Sequence, residues 1–403
     1  MSNRKLQNLF RSHLNALDNS PQPLKNRKAI QAITQCRTPD MGVSYFSCQS
    51  NHKPIEQYHS CRNRSCYLCS PKSKHDWVEK QKDRLLNVPH FHVIFTLPHE
   101  YLNLWRYNEQ QFSGILFKAS QQTLLELLSD PKHHGVTPGL MIALHTWGRQ
   151  LTLHPHTHCL ITAGGVNANK EWQNIDKYLL PIRVVKKLYR GKVQSLLYQA
   201  LDDKKLILPP DMTRSLFYRL QRQTYQKVWS VRIEERYEHG KGVMLYLSRY
   251  LKGGPVKPEQ IHFGGKKGVN LRYLDHRDKK TKQLNLTPPE LIRRILEHVS
   301  PVGMHTVRYF GIYASTHKAR ELESVKSKGT LCDEKLGASE KLKDMILSCK
   351  TCGERAYLTH TRWRCQIKAF SINKANHSPN VQQGDVADLT GKSIGRLSCF
   401  SSA

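Results

Sequence analysis

The chain has 403 residues, 63 of them Lys or Arg against 32 Asp or Glu, for a formal net charge of +31, and it is long enough for two or three domains. That excess predicts a polyanionic partner held by salt-sensitive phosphate contacts, although charge alone equally suits a ribosomal or other RNA-binding protein. With no run of about 18 apolar residues and no apolar stretch after Met1-Ser2-Asn3-Arg4-Lys5-Leu6, membrane-spanning and secreted classes are set aside, and a cytoplasmic, nucleoid-associated location is expected.

The 11 cysteines of a chain in a reducing compartment point to metal binding rather than a disulfide framework. Residues 1–88 combine a short basic helix with a cysteine cluster, broken by Pro21, Pro23 and Pro39, and read as a zinc-binding module that grips DNA. Cys66-x-x-Cys69 preceded by Cys48-x-x-x-His52 makes a tetrahedral Cys and His set for a structural zinc, with Cys61 a fifth contender and Cys36 a less favoured sixth. Arg62 and Arg64 lie beside it, placed for DNA contact.

From Phe91 the texture changes. Phe91 to Leu97 has the β-branched and aromatic content of a strand that Pro98 ends, and residues 111–128 carry apolar positions at helical spacing. Two strands, 140–147 and 156–163, are close enough for an antiparallel hairpin. A helix is expected over about 213–235, after Pro209-Pro210, and another over 243–251, stopped by Gly253-Gly254-Pro255. Together these predict an α+β catalytic domain over 89–320 with a mostly antiparallel sheet. Residues 252–282 read as a basic loop suited to tracking DNA. In the basic region 321–403, Cys349-x-x-Cys352 with Cys365 and either Cys332 or His360 would form a second zinc ribbon.

Two patterns carry the chemistry. In Leu153-His154-Pro155-His156-Thr157-His158, alternate side chains of a strand point the same way, so His156 and His158 can share one divalent ion. The third ligand is either His145, reached across the hairpin, or His154. Tyr246-Leu247-Ser248-Arg249-Tyr250 places two phenols at i and i+4 on one helix face, with Arg249 and Lys252 suited to phosphate. A phenol at its ordinary pKa of about 10 is a poor nucleophile, and a cation on the scissile phosphate would supply the missing activation.

His156-Thr157-His158 followed by Tyr246-x-x-x-Tyr250 resembles the HUH two-tyrosine rolling-circle insertion-sequence transposases. So do Phe91 to Pro98, Leu144 to Gly148, Arg308-Tyr309-Phe310-Gly311 and the cysteine string from Ser60 to Cys69, in the same order along roughly residues 35 to 320. The resemblance implies an RNA-recognition-like antiparallel sheet carrying the histidines, a tyrosine-bearing helix packed on it, and a catalytic Mg or Mn. It also implies single-strand nicking at the ends of the protein's own element, through a 5′-phosphotyrosine and a free 3′-hydroxyl. In related relaxases a third histidine precedes the pair at a similar distance, which favours His145. A plasmid replication initiator or relaxase would share this chemistry, whereas a zinc-finger regulator would share only the metal-binding module.

Overall fold

The structure is a computed structural model that describes residues 4–362, apart from 19–20, 177, 235, 239–242, 244–253, 265–267, 276–277, 317 and 331–346. The expected helix at 243–251, with Tyr246, Arg249, Tyr250 and Lys252, therefore lies almost wholly outside the described residues, as do Cys332 and Cys365.

The amino-terminal region holds helices α1 (Lys5–Ser12), α2 (Leu14–Asp18) and α3 (Leu24–Gln35), the hairpin β1 (Val43–Ser47) and β2 (Ile55–Tyr58), and α4 (Ser70–Lys82). Next come β3 (His90–Thr96), α5 (Leu102–Tyr107), α6 (Glu109–Ser129), β4 (Thr137–Trp147), β5 (Leu153–Val166), β6 (Trp172–Asn174), α7 (Ile182–Asp202), α8 (Arg214–Tyr225) and β7 (Val231–Ile233). A meander of β8 (Ile261–Phe263), β9 (Val269–Leu274) and β10 (Thr281–Leu286), then α9 (Pro288–Glu297), β11 (Val307–Gly311), a short α10 (Glu323–Lys326) and β12 (Tyr357–Arg362) complete the order. The fold is α+β, and every strand pairing recorded is antiparallel.

The central sheet runs β11-β4-β5-β3-β7, with β6 beside β5. Period-two alternation gives it two different faces. Phe91, Val93 and Phe95 of β3, Leu140, Ile142 and Leu144 of β4, and Cys159 and Ile161 of β5 point to one side, where α6 and α7 bury them in the largest apolar cluster. The helix α7 is amphipathic in the ordinary way: Val185, Tyr189, Val193 and Leu197 recur every four residues and are fully buried. The opposite face carries the histidines, followed along the strands by Met141, Ala143 and Leu160, which join Val78, Leu85 and Val243 in a smaller cluster.

Two segments depart from the sequence expectation. The helix expected to run to about 235 ends at Tyr225, because Trp229 is buried among the rings of Tyr101 and Tyr189. The β-branched Val231 and Ile233 that follow pair with Phe95 and Val93 and extend the sheet. Residues 252–282, expected as loop, contain most of the meander. Val269 and Leu271 alternate inward with Leu286 into a cluster shared with α1, α3 and α9, and Arg272 faces out.

Gly311 ends the Arg308-Tyr309-Phe310-Gly311 string for a steric reason. Its φ is +56°, and a Cβ there would overlap the Pro138 carbonyl. Arg308 lies over the Phe117 ring, 4.5 Å from its centre.

Candidate active site

Register places the histidines. His145 of β4 is directly opposite His156 of β5, and Ala143 is opposite His158, so the three imidazoles share one patch of the sheet face turned away from α6 and α7. His156 Nε2 and His158 Nε2 are 3.1 Å apart. Two nitrogens bound at right angles about 2.1 Å from one ion would be about 3 Å apart. The ring of His145 stands edge-on, 4.7 Å from His158 and 5.6 Å from His156, and is itself stacked on Trp147. One nitrogen from each of the three lies within 4.8 Å of the others. His154 projects from the same face, but is not part of that group and packs by His99.

The hydrogen bonds fix which nitrogens face the ion position. A carbonyl can only accept, so the 2.6 Å contact from His156 Nδ1 to the His154 oxygen puts the proton on Nδ1 and a lone pair on Nε2. His158 Nδ1 meets His92 Nε2 at 2.9 Å, which likewise turns its Nε2 inward when Nδ1 is the donor. Burial keeps these rings neutral: it lowers His156 to about 4 and His92 to about 3, and holds His158 well below its ordinary value. Neutral, converging and pre-oriented imidazoles suit a divalent cation. Beneath the sheet, Thr157 Oγ1 bonds Ser120 Oγ of α6 at 2.8 Å, which gives the polar residue between the two histidines a buried partner.

His92 is a ring-positioning group that the histidine motif alone does not reveal; its signal is that it alternates with Phe91 and Val93 and so must face the other way. His92→Phe keeps a ring and removes the nitrogen. Titration with Mn is expected to show binding about 10- to 100-fold weaker, and an unchanged affinity would remove His92 from the site.

The histidines line a cavity of about 1450 Å³ whose walls include Lys74, Arg149, Arg232 and Lys257, with Glu234 and Tyr237 near His92. Gly254, Pro255 and Val256 form another part of the wall. Gly254 is pressed against the cysteine string: a Cβ there would overlap the Arg64 carbonyl, and its N–H donates to Ser70 Oγ at 3.3 Å. Arg64 lies 5.2 Å from the centre of the Trp147 ring, the same ring that stacks on His145, while Arg62 is exposed.

The expected zinc set is regrouped. Cys61, Cys66 and Cys69 come together with Cys36 rather than with Cys48 and His52. Cys69 Sγ is 3.4 Å from Cys36 Sγ and 3.6 Å from Cys61 Sγ, near the edge of about 3.8 Å in a tetrahedron with Zn–S of about 2.3 Å. The reason is the β1–β2 hairpin. Cys36 and Cys61 flank its base, where Arg37 N–H donates to the His59 carbonyl, whereas Cys48 and His52 sit at its tip. Five strand residues at about 3.3 Å each separate the two ends. Crowded thiols compete for protons, Cys69 being held low and Cys61 and Cys66 pushed up by their neighbours. A divalent cation lets all four ionise, so the donor set fits a structural zinc. Of the expected carboxyl-terminal ribbon, Cys349 and Cys352 lie beside Cys48 and His52, and His360 is stacked on Tyr45 in the sheet.

Comparison with known proteins identifies the family. Residues 8–97 match the family described as "Transposase zinc-binding domain", and residues 139–321 match the one described as "Putative transposase". The chain is 31% identical over 304 residues to "Putative transposase y4qJ" of Sinorhizobium fredii, covering 73% of this chain and 76% of that protein. It is 28% identical over 296 residues to "Transposase for insertion sequence element IS801" of Pseudomonas savastanoi pv. phaseolicola, covering 72% and 70%. No solved structure matches it. Among the described residues no helix is long and apolar enough to cross a membrane. The chain belongs to the rolling-circle insertion-sequence transposases of the IS91 and IS801 type.

Proposed function

We propose that this transposase nicks and rejoins single-stranded DNA at the ends of its own element, with His145, His156 and His158 holding a divalent Mg or Mn ion and Tyr246 and Tyr250 as nucleophiles. The observation that carries the reading is the convergence of the histidine nitrogens on the floor of a cavity whose wall includes lysine and arginine, together with residues that precede and follow the tyrosine pair in the sequence. Tyr237 and Gly254 both line that cavity, and Val243 is buried beside it. Tyr250 is four residues from Gly254, within about 14 Å of chain reach.

In the proposed reaction a tyrosine Oη attacks the scissile phosphorus, the Tyr–O–P bond forms and the P–O3′ bond breaks. The phenolic proton is given up as the leaving 3′-oxygen gains one, and a 3′-hydroxyl later attacks the phosphotyrosine to rejoin the strand. A divalent ion held by His145, His156 and His158 would supply charge stabilisation at the transferring phosphate. Lys74, Arg149, Arg232 and Lys257 hold the neighbouring phosphates, and Arg62, Arg249 and Lys252 are further candidates for DNA contact.

The test incubates the purified chain and Mn or Mg with single-stranded oligonucleotides from the flanks of its own gene. A covalent protein–DNA adduct that survives denaturation is expected, with a new 3′-hydroxyl end on the released piece. DNA binding with neither adduct nor cleavage in either metal would make the protein a non-catalytic DNA-binding regulator.

A further inference from the structure

We propose that Cys48, His52, Cys349 and Cys352 form a second structural zinc site, a clasp that pins the carboxyl-terminal strand β12 to the tip of the β1–β2 hairpin. His52 Nδ1 is 3.4 Å from Cys48 Sγ and 3.7 Å from Cys349 Sγ, although 297 residues separate His52 from Cys349. One donor atom from each of the four lies within 4.8 Å of the others. Three sulfurs and one imidazole at this spacing match a closed tetrahedral zinc set.

The surrounding backbone is shaped for the same ligand. Residues 349–354 make a tight turn in which Gly353 N–H donates to the Cys349 carbonyl at 2.9 Å and Gly353 takes a φ of +75°. The Thr351 N–H points at Cys349 Sγ from 3.4 Å, as a backbone donor supports a thiolate. The strand register brings the turn to the right place. Tyr357, at the start of β12, pairs with Ser47, the residue before Cys48.

The sheet itself shows why a clasp is needed. Among the described residues, none from β1, β2 or β12 enters the three apolar clusters. Tyr357 and Leu358 of β12 remain 51% and 58% exposed. A strand that buries so little cannot offset through the hydrophobic effect the entropy of ordering a segment so far along the chain. Zinc binding is folding free energy in such a small sheet. The clasp is distinct from the Cys36, Cys61, Cys66 and Cys69 set, which lies at the other end of the hairpin. Of the four clasp ligands, Cys48 and His52 fall in the matched zinc-binding domain, residues 8–97, and Cys349 and Cys352 do not.

Zinc content of the full chain, purified without added metal, tests the clasp. The measurement uses a His156→Ala/His158→Ala background, which removes the open histidine site as a place for zinc. Two zinc ions per chain are expected, one after Cys349→Ser/Cys352→Ser, and one after Cys36→Ser/Cys69→Ser. Limited proteolysis of the Cys349→Ser/Cys352→Ser chain should cut within 347–362 at least tenfold faster. Two zinc ions retained in that variant, or only one in the parent, would overturn the proposal. Should the serine variants fail to fold, cobalt loading of the parent decides. Absorption from one four-sulfur and one three-sulfur, one-nitrogen centre supports the clasp, and a four-sulfur spectrum alone refutes it.

Discussion

His158→Ala is expected to lower metal-dependent nicking of single-stranded DNA by at least about a thousandfold, the effect of losing roughly 4 kcal/mol of charge stabilisation at the transferring phosphate. His156→Ala should do the same, because its Nε2 is the other half of the 3.1 Å pair. DNA binding at fixed salt should change little, since the proposed phosphate contacts are lysine and arginine and both substitutions remove neutral rings. His145→Ala should fall into the same class, and His154→Ala should retain most activity because its ring is outside the converging group. Single-turnover cleavage across a Mn titration checks this. Near-normal cleavage by His158→Ala would end the metal reading, and a loss in His154→Ala, His156→Ala and His158→Ala with His145→Ala near normal would move the third ligand to His154.

The histidine pair is legible because a strand has only one period. Once Leu153 to Val166 is a strand, His156 and His158 must share a face, and the short connection to β4 brings His145 opposite. The same rule, applied to the basic stretch after Lys252, would show Val269 with Leu271 and Leu284 with Leu286 as two inward-facing edges. The density of lysine and arginine hides that alternation, and the segment reads as a loop. Around Trp229 the local pattern suits helix or strand alike, and only the waiting edge of β3 decides between them.

The cysteines show a different limit. Proximity in sequence groups Cys48 with Cys61, yet a hairpin carries its tip away from its base, and the partners of Cys48 and His52 are about 300 residues further along. No spacing rule reaches that far. The one sequence signal is that both Cys48-x-x-x-His52 and Cys349-x-x-Cys352 are half sites, each needing two more ligands. Cys36 fails to stand out for the opposite reason: a lone cysteine after a helix looks like a core residue until α3 and the hairpin base bring it to Cys69.

Tyr246→Phe/Tyr250→Phe is expected to form no covalent adduct with DNA, its cleavage falling at least about a thousandfold, while binding the same oligonucleotide as tightly as the parent. Phenylalanine keeps the ring and removes only the attacking oxygen, so a folding defect is not the expected cause of a loss. If both phenols act in turn, each single variant still forms an adduct in vitro, because one nucleophile remains, yet neither supports transposition in cells, where the second strand transfer needs the other. A single variant that transposes normally reduces the mechanism to one tyrosine. An adduct that persists in the double variant moves the nucleophile to Tyr237, which lines the same cavity with its ring 6.2 Å from His92. Tyr225, exposed at the end of α8, and Tyr273, which is 2.8 Å from Gln150 Nε2, are not on the cavity wall. Peptide mapping of the DNA-linked fragment separates these outcomes, since Tyr237 and the 246–250 pair fall on opposite sides of Lys241 and are parted by trypsin.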